Sequence, residues 1–232
     1  MCFFKTSTLL LKHKSVLYYY YYLYLYSIMR RVINIKNIIF DLGGVILKNK
    51  PISVLENINV NNSEYNELKK FFDNWEELDL GKETLNDKFI KCNFSNDIEK
   101  MYKEILIHYY KYRELNEELI SIIKKLKKNN YNVYILSDNN SECYEYYKKN
   151  DLFKDIDGWV LSCEYNTKKK DGILFDILIN KFSLNPYECY FIDDRESNID
   201  EAKKHGIRGY LFNEKNDIIK LYDDMRNNQI NI

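Results

Sequence analysis

The sequence predicts an α/β fold: a doubly wound parallel sheet with a small helical cap inserted after its first strand. Two observations carry this expectation. Short β-branched runs alternate with amphipathic helical patterns from Val32 onward. The stretch from Lys48 to about Arg113 breaks that alternation, with helical patterns and no strand of its own.

The elements follow in order. Val32–Phe40 (VINIKNIIF) reads as a buried strand that stops at Asp41-Leu42-Gly43-Gly44. Ser63–Trp75, Leu85–Lys91 and Asp97–Lys111 carry the helical patterns of the insertion. Asn116–Lys128 sets Leu119, Ile122, Ile123 and Leu126 on one face with lysines opposite. Tyr131–Leu136 is the second strand and ends at Ser137-Asp138-Asn139-Asn140. Gly158–Ser162 is another, and Ile173–Phe182 repeats the helical pattern with Leu174, Ile177 and Leu178. A strand beginning at Tyr190–Ile192 ends at Asp193-Asp194, and Ser197–His205 is a helix stopped by Gly206. Gly209–Phe212 is the last strand. The expected boundaries are a core of residues 32–48 and 114–232 and a cap of residues 49–113.

Residues 1–31 do not fit this scheme. Val16–Ile28 reads VLYYYYYLYLYSI, preceded by Lys12, His13 and Lys14. The run is short for a membrane span of about 20 apolar residues, and tyrosine hydroxyls dominate it. No small-residue cleavage site accompanies it. The expectation is an extension upstream of a true start at Met29, with a loosely packed extension or a membrane anchor as the alternatives, and no membrane role is expected of the rest of the chain.

Composition narrows the function. The 232 residues include 35 basic and 35 acidic side chains, so the formal charge is zero and the usual electrostatic footprint of a nucleic-acid binder is missing. Five scattered cysteines without CxxC spacing suit neither a disulfide framework nor a zinc site. They read as reduced thiols of a cytoplasmic protein.

The acids fall where strands end. Asp41, Ser137 and the Asp193-Asp194 pair each follow a hydrophobic strand, and a parallel sheet brings such positions to one edge. Clustered carboxylates repel one another without a cation, and oxygen donors suit a hard ion such as Mg²⁺. Mg²⁺ commonly keeps waters and takes one or two carboxylates together with a substrate phosphate.

Four segments in order, FDLGGVI (40–46), ILSDN (135–139), TKKKDG (167–172) and FIDDRESNIDEAKKHGI (191–207), resemble the motifs of the haloacid dehalogenase (HAD) superfamily. ELDLGKET (77–84) is similar to the glycine-containing connection of that family's small cap, and DLGGV resembles the branch of sugar-phosphate phosphatases and the epoxide hydrolase phosphatase domain. The resemblance implies a Rossmann-like core and a Mg²⁺-dependent phosphatase acting on a small phosphorylated metabolite, as a monomer or weak homodimer. It implies Asp41 as nucleophile, with Asp41, the Gly43 carbonyl, Asp194 and Asp193 around the metal. Ser137 and the Asp138 backbone N–H would hold the phosphate. Aligning Asp171 with the acid that often follows the family's Lys-Pro puts the catalytic lysine at Lys169 and leaves Lys168 and Lys170 as a solvated loop.

Gly43 departs from the family's DxD pattern, whose second Asp is the general acid; such help is typically worth about 10²–10⁴-fold. Asp138 is an alternative proton carrier. A 2-haloacid dehalogenase using Asp41 at carbon, and a non-catalytic binding protein, are the competing expectations. His108 reads as a packing or surface residue, His205 as a residue favourable at its helix C-terminus, Trp75, Phe71 and Phe72 as packing residues, and Cys143 as a buried thiol.

Overall fold

A computed structural model describes residues 21, 34–48, 50–213 and 217–232. The tyrosine-rich segment lies, apart from Tyr21, outside the described residues. Among the described residues no helix is long and apolar enough to cross a membrane.

Five strands form one sheet: β1 (Asn37–Phe40), β2 (Asn132–Ser137), β3 (Gly158–Leu161), β4 (Cys189–Asp193) and β5 (Arg208–Leu211). Their order is β3-β2-β1-β4-β5, with every pairing parallel. The chain builds outward from β1 on one side through β2 and β3, then crosses to the other side for β4 and β5. That reversal leaves a crevice between the carboxyl ends of β1 and β4, the usual ligand position in an open α/β sheet.

Both sheet faces are covered, and the strands show it residue by residue. Ile38 and Phe40, Val133 and Ile135, and Tyr190 and Ile192 join one apolar cluster. Their neighbours Ile39, Tyr134, Leu136, Cys189 and Phe191 join the other. Successive side chains point to opposite faces, so a strand buried on both reads as an unbroken apolar run.

The helices follow their amphipathic patterns. Helix Glu117–Lys128 buries Leu119, Ile120, Ile122, Ile123 and Leu126. The Asn116 side chain accepts the Leu119 N–H at its start, and three lysines sit in its last turn, where cations are favoured. Helix Ile173–Phe182 coincides with its predicted span, and Glu196–Lys204 starts one residue early.

Two expected helices are shorter than their patterns. The first α-helix of the insertion is Asn62–Leu68; it tightens into a 3₁₀ turn at Lys69–Phe72 and breaks at Asn74, whose φ is 49°. Asn96–Ile107 likewise ends at His108 before a 3₁₀ turn at Tyr109–Tyr112. Two helices of more than one turn had no sequence-level expectation, Ser141–Lys148 and Asp217–Asn227. The first buries only Cys143 and Tyr147, too thin a stripe to stand out.

Among the described residues, Pro51–Tyr112 contains only helical elements. Its ends meet, because Leu47 bridges Leu115 and the Lys48 N–H donates to the Glu114 carbonyl at 2.9 Å. Capping boxes at Asn61/Glu64 and Thr84/Asp87 start two of its helices. Its apolar residues, Leu68, Phe71, Leu78 and Leu85 among them, continue one of the two sheet-face clusters.

Gly81 fixes how the segment meets the sheet edge. It has φ +65°, and a Cβ there would collide with the Cys163 carbonyl. Gly81→Ala is therefore expected to cost about 1–3 kcal/mol through backbone strain and overpacking, read from urea unfolding. A loss below about 0.5 kcal/mol would show that the contact relaxes freely.

Candidate active site

Strand register delivers the acids. Phe40 lies opposite Ile192, and the Asp41 N–H donates to the Ile192 carbonyl at 2.8 Å, so Asp41 emerges beside Asp193. Asp41, Asp193 and Asp194 each present a carboxylate oxygen, all within 4.8 Å of one another, a set that could hold a metal ion. Such a cluster cannot persist without positive charge.

Lys169 supplies that charge. Its Nζ lies 2.8 Å from Asp41 Oδ1 and 2.5 Å from Asp193 Oδ2, and its side chain is 2% exposed. Burial opposes the ammonium's charge, but Asp193 and Asp41 outweigh it and hold the lysine above its ordinary range. The Asp41 carboxyl is pushed up to about 7, chiefly by burial; Lys169 pulls it down, and Asp193 and Asp194 push it further up. Lys169 is placed by its backbone, whose N–H donates to Asp138 Oδ1 at 3.0 Å.

The adjacent acids have different surroundings. Asp193 is fully buried and accepts from Lys169 Nζ, the Arg195 N–H and both contacts of Asn198 Nδ2. Asp194 is exposed and lines the cavity. Burial raises its pKa, with Asp193 adding to the shift. Gly44, at φ +81°, lies so close that a Cβ would strike the Asp194 carboxylate.

A cavity of about 1500 Å³ opens over this edge, lined from the sheet side by Asp41, Gly43, Asp138, Lys169, Asp194 and Arg195. Ser137 is 1% exposed, outside the lining residues, and its Oγ has no hydrogen-bond partner among the described residues. Gly43 has open space around the position of a Cβ.

The helical segment forms the other wall. Phe71 is buried as expected, but Phe72 and Trp75 are half-buried and line the cavity, stacked at 5.8 Å with Tyr109 edge-on to Trp75. They form a wall as well as packing. Lys168 is not the solvated residue expected: its Nζ lies 3.3 Å from Asp79 Oδ2, and its side chain is 14% exposed. Lys170 is exposed. Arg195 and Asp79 also line the cavity, and sequence reasoning passed over both. Arg195 directly follows Asp194, and Asp79 stands in ELDLGKET, so each had a signal in its neighbours.

His108 contacts the Glu104 carbonyl, and His205 stacks on Phe175; neither lines the cavity. Burial pushes the Cys143 thiol up to about 12.

The sequence profile of the haloacid dehalogenase-like hydrolases matches residues 35–206. The chain belongs to this family. No curated protein matches the sequence. Among solved structures, the fold of this HAD-like hydrolase is similar to a wild-type HAD family enzyme from Bacteroides thetaiotaomicron in complex with magnesium and inorganic phosphate. That enzyme is 22% identical with a TM-score of 0.61, over 82% of this chain and 100% of that one. An HAD-like family hydrolase from Porphyromonas gingivalis is 21% identical with a TM-score of 0.60, covering 83% and 98%. A dehalogenase solved as an intermediate complex is 19% identical with a TM-score of 0.62, covering 79% and 87%.

Removing the Lys169 charge leaves two buried carboxylates unpaired. Lys169→Met is expected to lose about 3–5 kcal/mol of stability at neutral pH. Because protonated carboxyls no longer need the ammonium, the deficit should shrink as pH falls through the raised Asp41 pKa of about 7. Urea titrations at several pH values would show a pH-independent deficit if the charge balance were not the cause.

Proposed function

We propose that the protein is a Mg²⁺-dependent phosphatase that hydrolyses a small phosphorylated metabolite through an aspartyl-phosphate. The contact that carries the reading is Lys169 Nζ, 2.8 Å from Asp41 beside a cluster of carboxylates. It orients a buried nucleophile and leaves a cation to balance incoming phosphate charge.

The donor set fits magnesium: three clustered carboxylates, Asp194 open to the cavity, and a glycine at position 43 whose backbone can approach closely. Asp41, Asp194 and the Gly43 carbonyl would hold the ion, with Asp193 beside them. A bound Mg²⁺ would neutralise phosphate charge and align the ester.

The residues of the chain then divide the work. Asp41 attacks phosphorus. Lys169 holds Asp41 in place and screens the non-bridging oxygens. The unpartnered Ser137 Oγ and the Asp138 backbone N–H are the groups for phosphate oxygens. Asp138 has a second task, since its carboxylate anchors the Lys169 backbone. Asp193 acts through Lys169, whose ammonium it fixes while its own carboxylate accepts from Asn198.

The helical segment, residues 49–113, works as the cap in this reading and excludes water from the cavity. Its aromatic wall suits a substrate with an apolar or ring face. A dehalogenase working at carbon has no use for the Asp193-Asp194 cluster, and the ordered Lys169 contacts favour turnover over binding alone. Cys92, Cys143, Cys163 and Cys189 are free thiols, which supports a reducing, cytoplasmic setting.

A panel of phosphorylated metabolites assayed with and without Mg²⁺ tests the reading. Asp41→Asn is expected to abolish Mg²⁺-dependent phosphate release; retention of even about a tenth of the rate would remove Asp41 as nucleophile. A Cβ at position 43 meets open space, so Gly43→Asp is expected to keep at least wild-type turnover of esters with poor leaving groups. Protons compete with the metal at Asp41, so apparent Mg²⁺ affinity is expected to rise with pH toward about 7 and then level off. Calorimetry showing no pH dependence would place the ion elsewhere.

A further inference from the structure

Asp41 is followed two residues later by a glycine, so the position from which a side chain would protonate the leaving oxygen is bare. Open space surrounds a Cβ built at Gly43. Cleaving an alkyl or phenyl ester without a proton donor expels a basic oxygen anion, so a donor elsewhere in the cavity is expected.

Six acids of the cavity wall stand outside the metal cluster; Asp73, Glu76 and Glu77 are exposed, Glu83 is paired with Lys88 and Lys91, and Asp138 and Asp79 remain. Asp138 already spends its carboxylate on the Lys169 N–H at 3.0 Å. Asp79 comes from the opposite wall, at the end of helix Glu76–Asp79, and is 8% exposed.

The backbone around Asp79 is tied to the sheet edge independently of its side chain. The Asp79 carbonyl accepts from Ser162 Oγ, and the Leu80 carbonyl accepts from Asn166 Nδ2 at 2.6 Å. Gly81 then packs against the Cys163 carbonyl. These contacts hold the Asp79 carboxyl against Lys168, the residue before the lysine that touches Asp41.

We propose that Asp79 is the proton donor to the leaving oxygen, supplied by the helical segment in place of a side chain at position 43. This rests on the phosphatase reading above. In the first step an Asp41 oxygen bonds to phosphorus. The bond from phosphorus to the ester oxygen breaks with its electron pair on oxygen, which takes the proton of the Asp79 carboxyl. In the second step the Asp79 carboxylate takes a proton from water as that water's oxygen attacks the aspartyl-phosphate. Inorganic phosphate leaves, Asp41 returns as carboxylate, and Asp79 is protonated again.

The surroundings of Asp79 suit a group that exchanges protons near neutrality. Burial pushes its pKa up to about 6, Lys168 pulls it down, Asp138 raises it and Arg195 lowers it. Cys163, the other titratable neighbour, is raised to about 12 and stays neutral.

The test compares p-nitrophenyl phosphate with phenyl phosphate, which share a shape and differ in leaving-group basicity, for wild type and Asp79→Asn with Mg²⁺. Asp79→Asn is expected to lower kcat on phenyl phosphate by about 10²-fold and on p-nitrophenyl phosphate by less than about threefold. Wild-type kcat on phenyl phosphate should fall as pH rises above about 6, and the variant should lose that dependence. Adding Gly43→Asp to Asp79→Asn should restore phenyl phosphate turnover. Equal losses on the two esters would make Asp79 a structural tie and overturn the proposal, as would no loss on either. A wild type inert on both esters, and no different from Asp41→Asn, would sink the phosphatase reading itself. That result is visible without any Asp79 variant.

Discussion

A buried ammonium between two buried carboxylates is the constraint on which the site depends. Asp41 and Asp193 end adjacent parallel strands, so the sheet forces them together whatever their charges. Two carboxylates at that separation would repel strongly in a low-dielectric interior. Lys169, within 2.8 Å of one and 2.5 Å of the other, converts the repulsion into a bound arrangement. Its backbone is in turn held by Asp138 from the end of β2, so three strand ends are coupled through one residue. A buried ion pair of this kind adds little net stability compared with apolar packing. Its value here is that it sets where each charged atom lies.

The difference between Asp193 and Asp194 illustrates how a strand end sorts neighbouring residues of the same type. The last residue of β4 still points into the protein, where it meets Lys169, Asn198 and the turn that starts the next helix. The next residue is free of the ladder and turns to the cavity, against the bare Cα of Gly44. One acid thus serves the lysine, and the other is available to a ligand.

The helical segment is more than an attachment over the sheet edge. Its ends are paired through Leu47 and Leu115, and the Asp79–Gly81 turn is bonded to the loop that also carries Lys168 and Lys169. Lys88, buried within it, holds the Asp73 and Asn74 carbonyls and lies 5.7 Å from the Trp75 ring. The aromatic wall is therefore positioned by hydrogen bonds inside the segment, and the polar wall by bonds to the sheet.

Much of this was written in the chain. The apolar runs ending in Asp41, Ser137 and Asp193-Asp194 marked three strands of a parallel sheet, because burial on both faces demands such runs and ligand-facing groups follow them, and the motifs around them marked the family. The lysine at position 169 was legible from its motif. Period and spacing also placed most helices, but not the breaks at Asn74 and His108, where tertiary packing overrides propensity. What no local pattern could show is which polar residues of the insertion face the strand ends. Asp79 stands in ELDLGKET, and Lys168 and Arg195, outside the insertion, stand beside motif residues, but nothing local tells any of the three from a surface charge. The burial of Asp79, its pairing with Lys168 and the raised pKa values of Asp79 and Arg195 arise only when residues some 90 to 115 positions apart are brought against each other, since desolvation and Coulomb energy depend on distance in space.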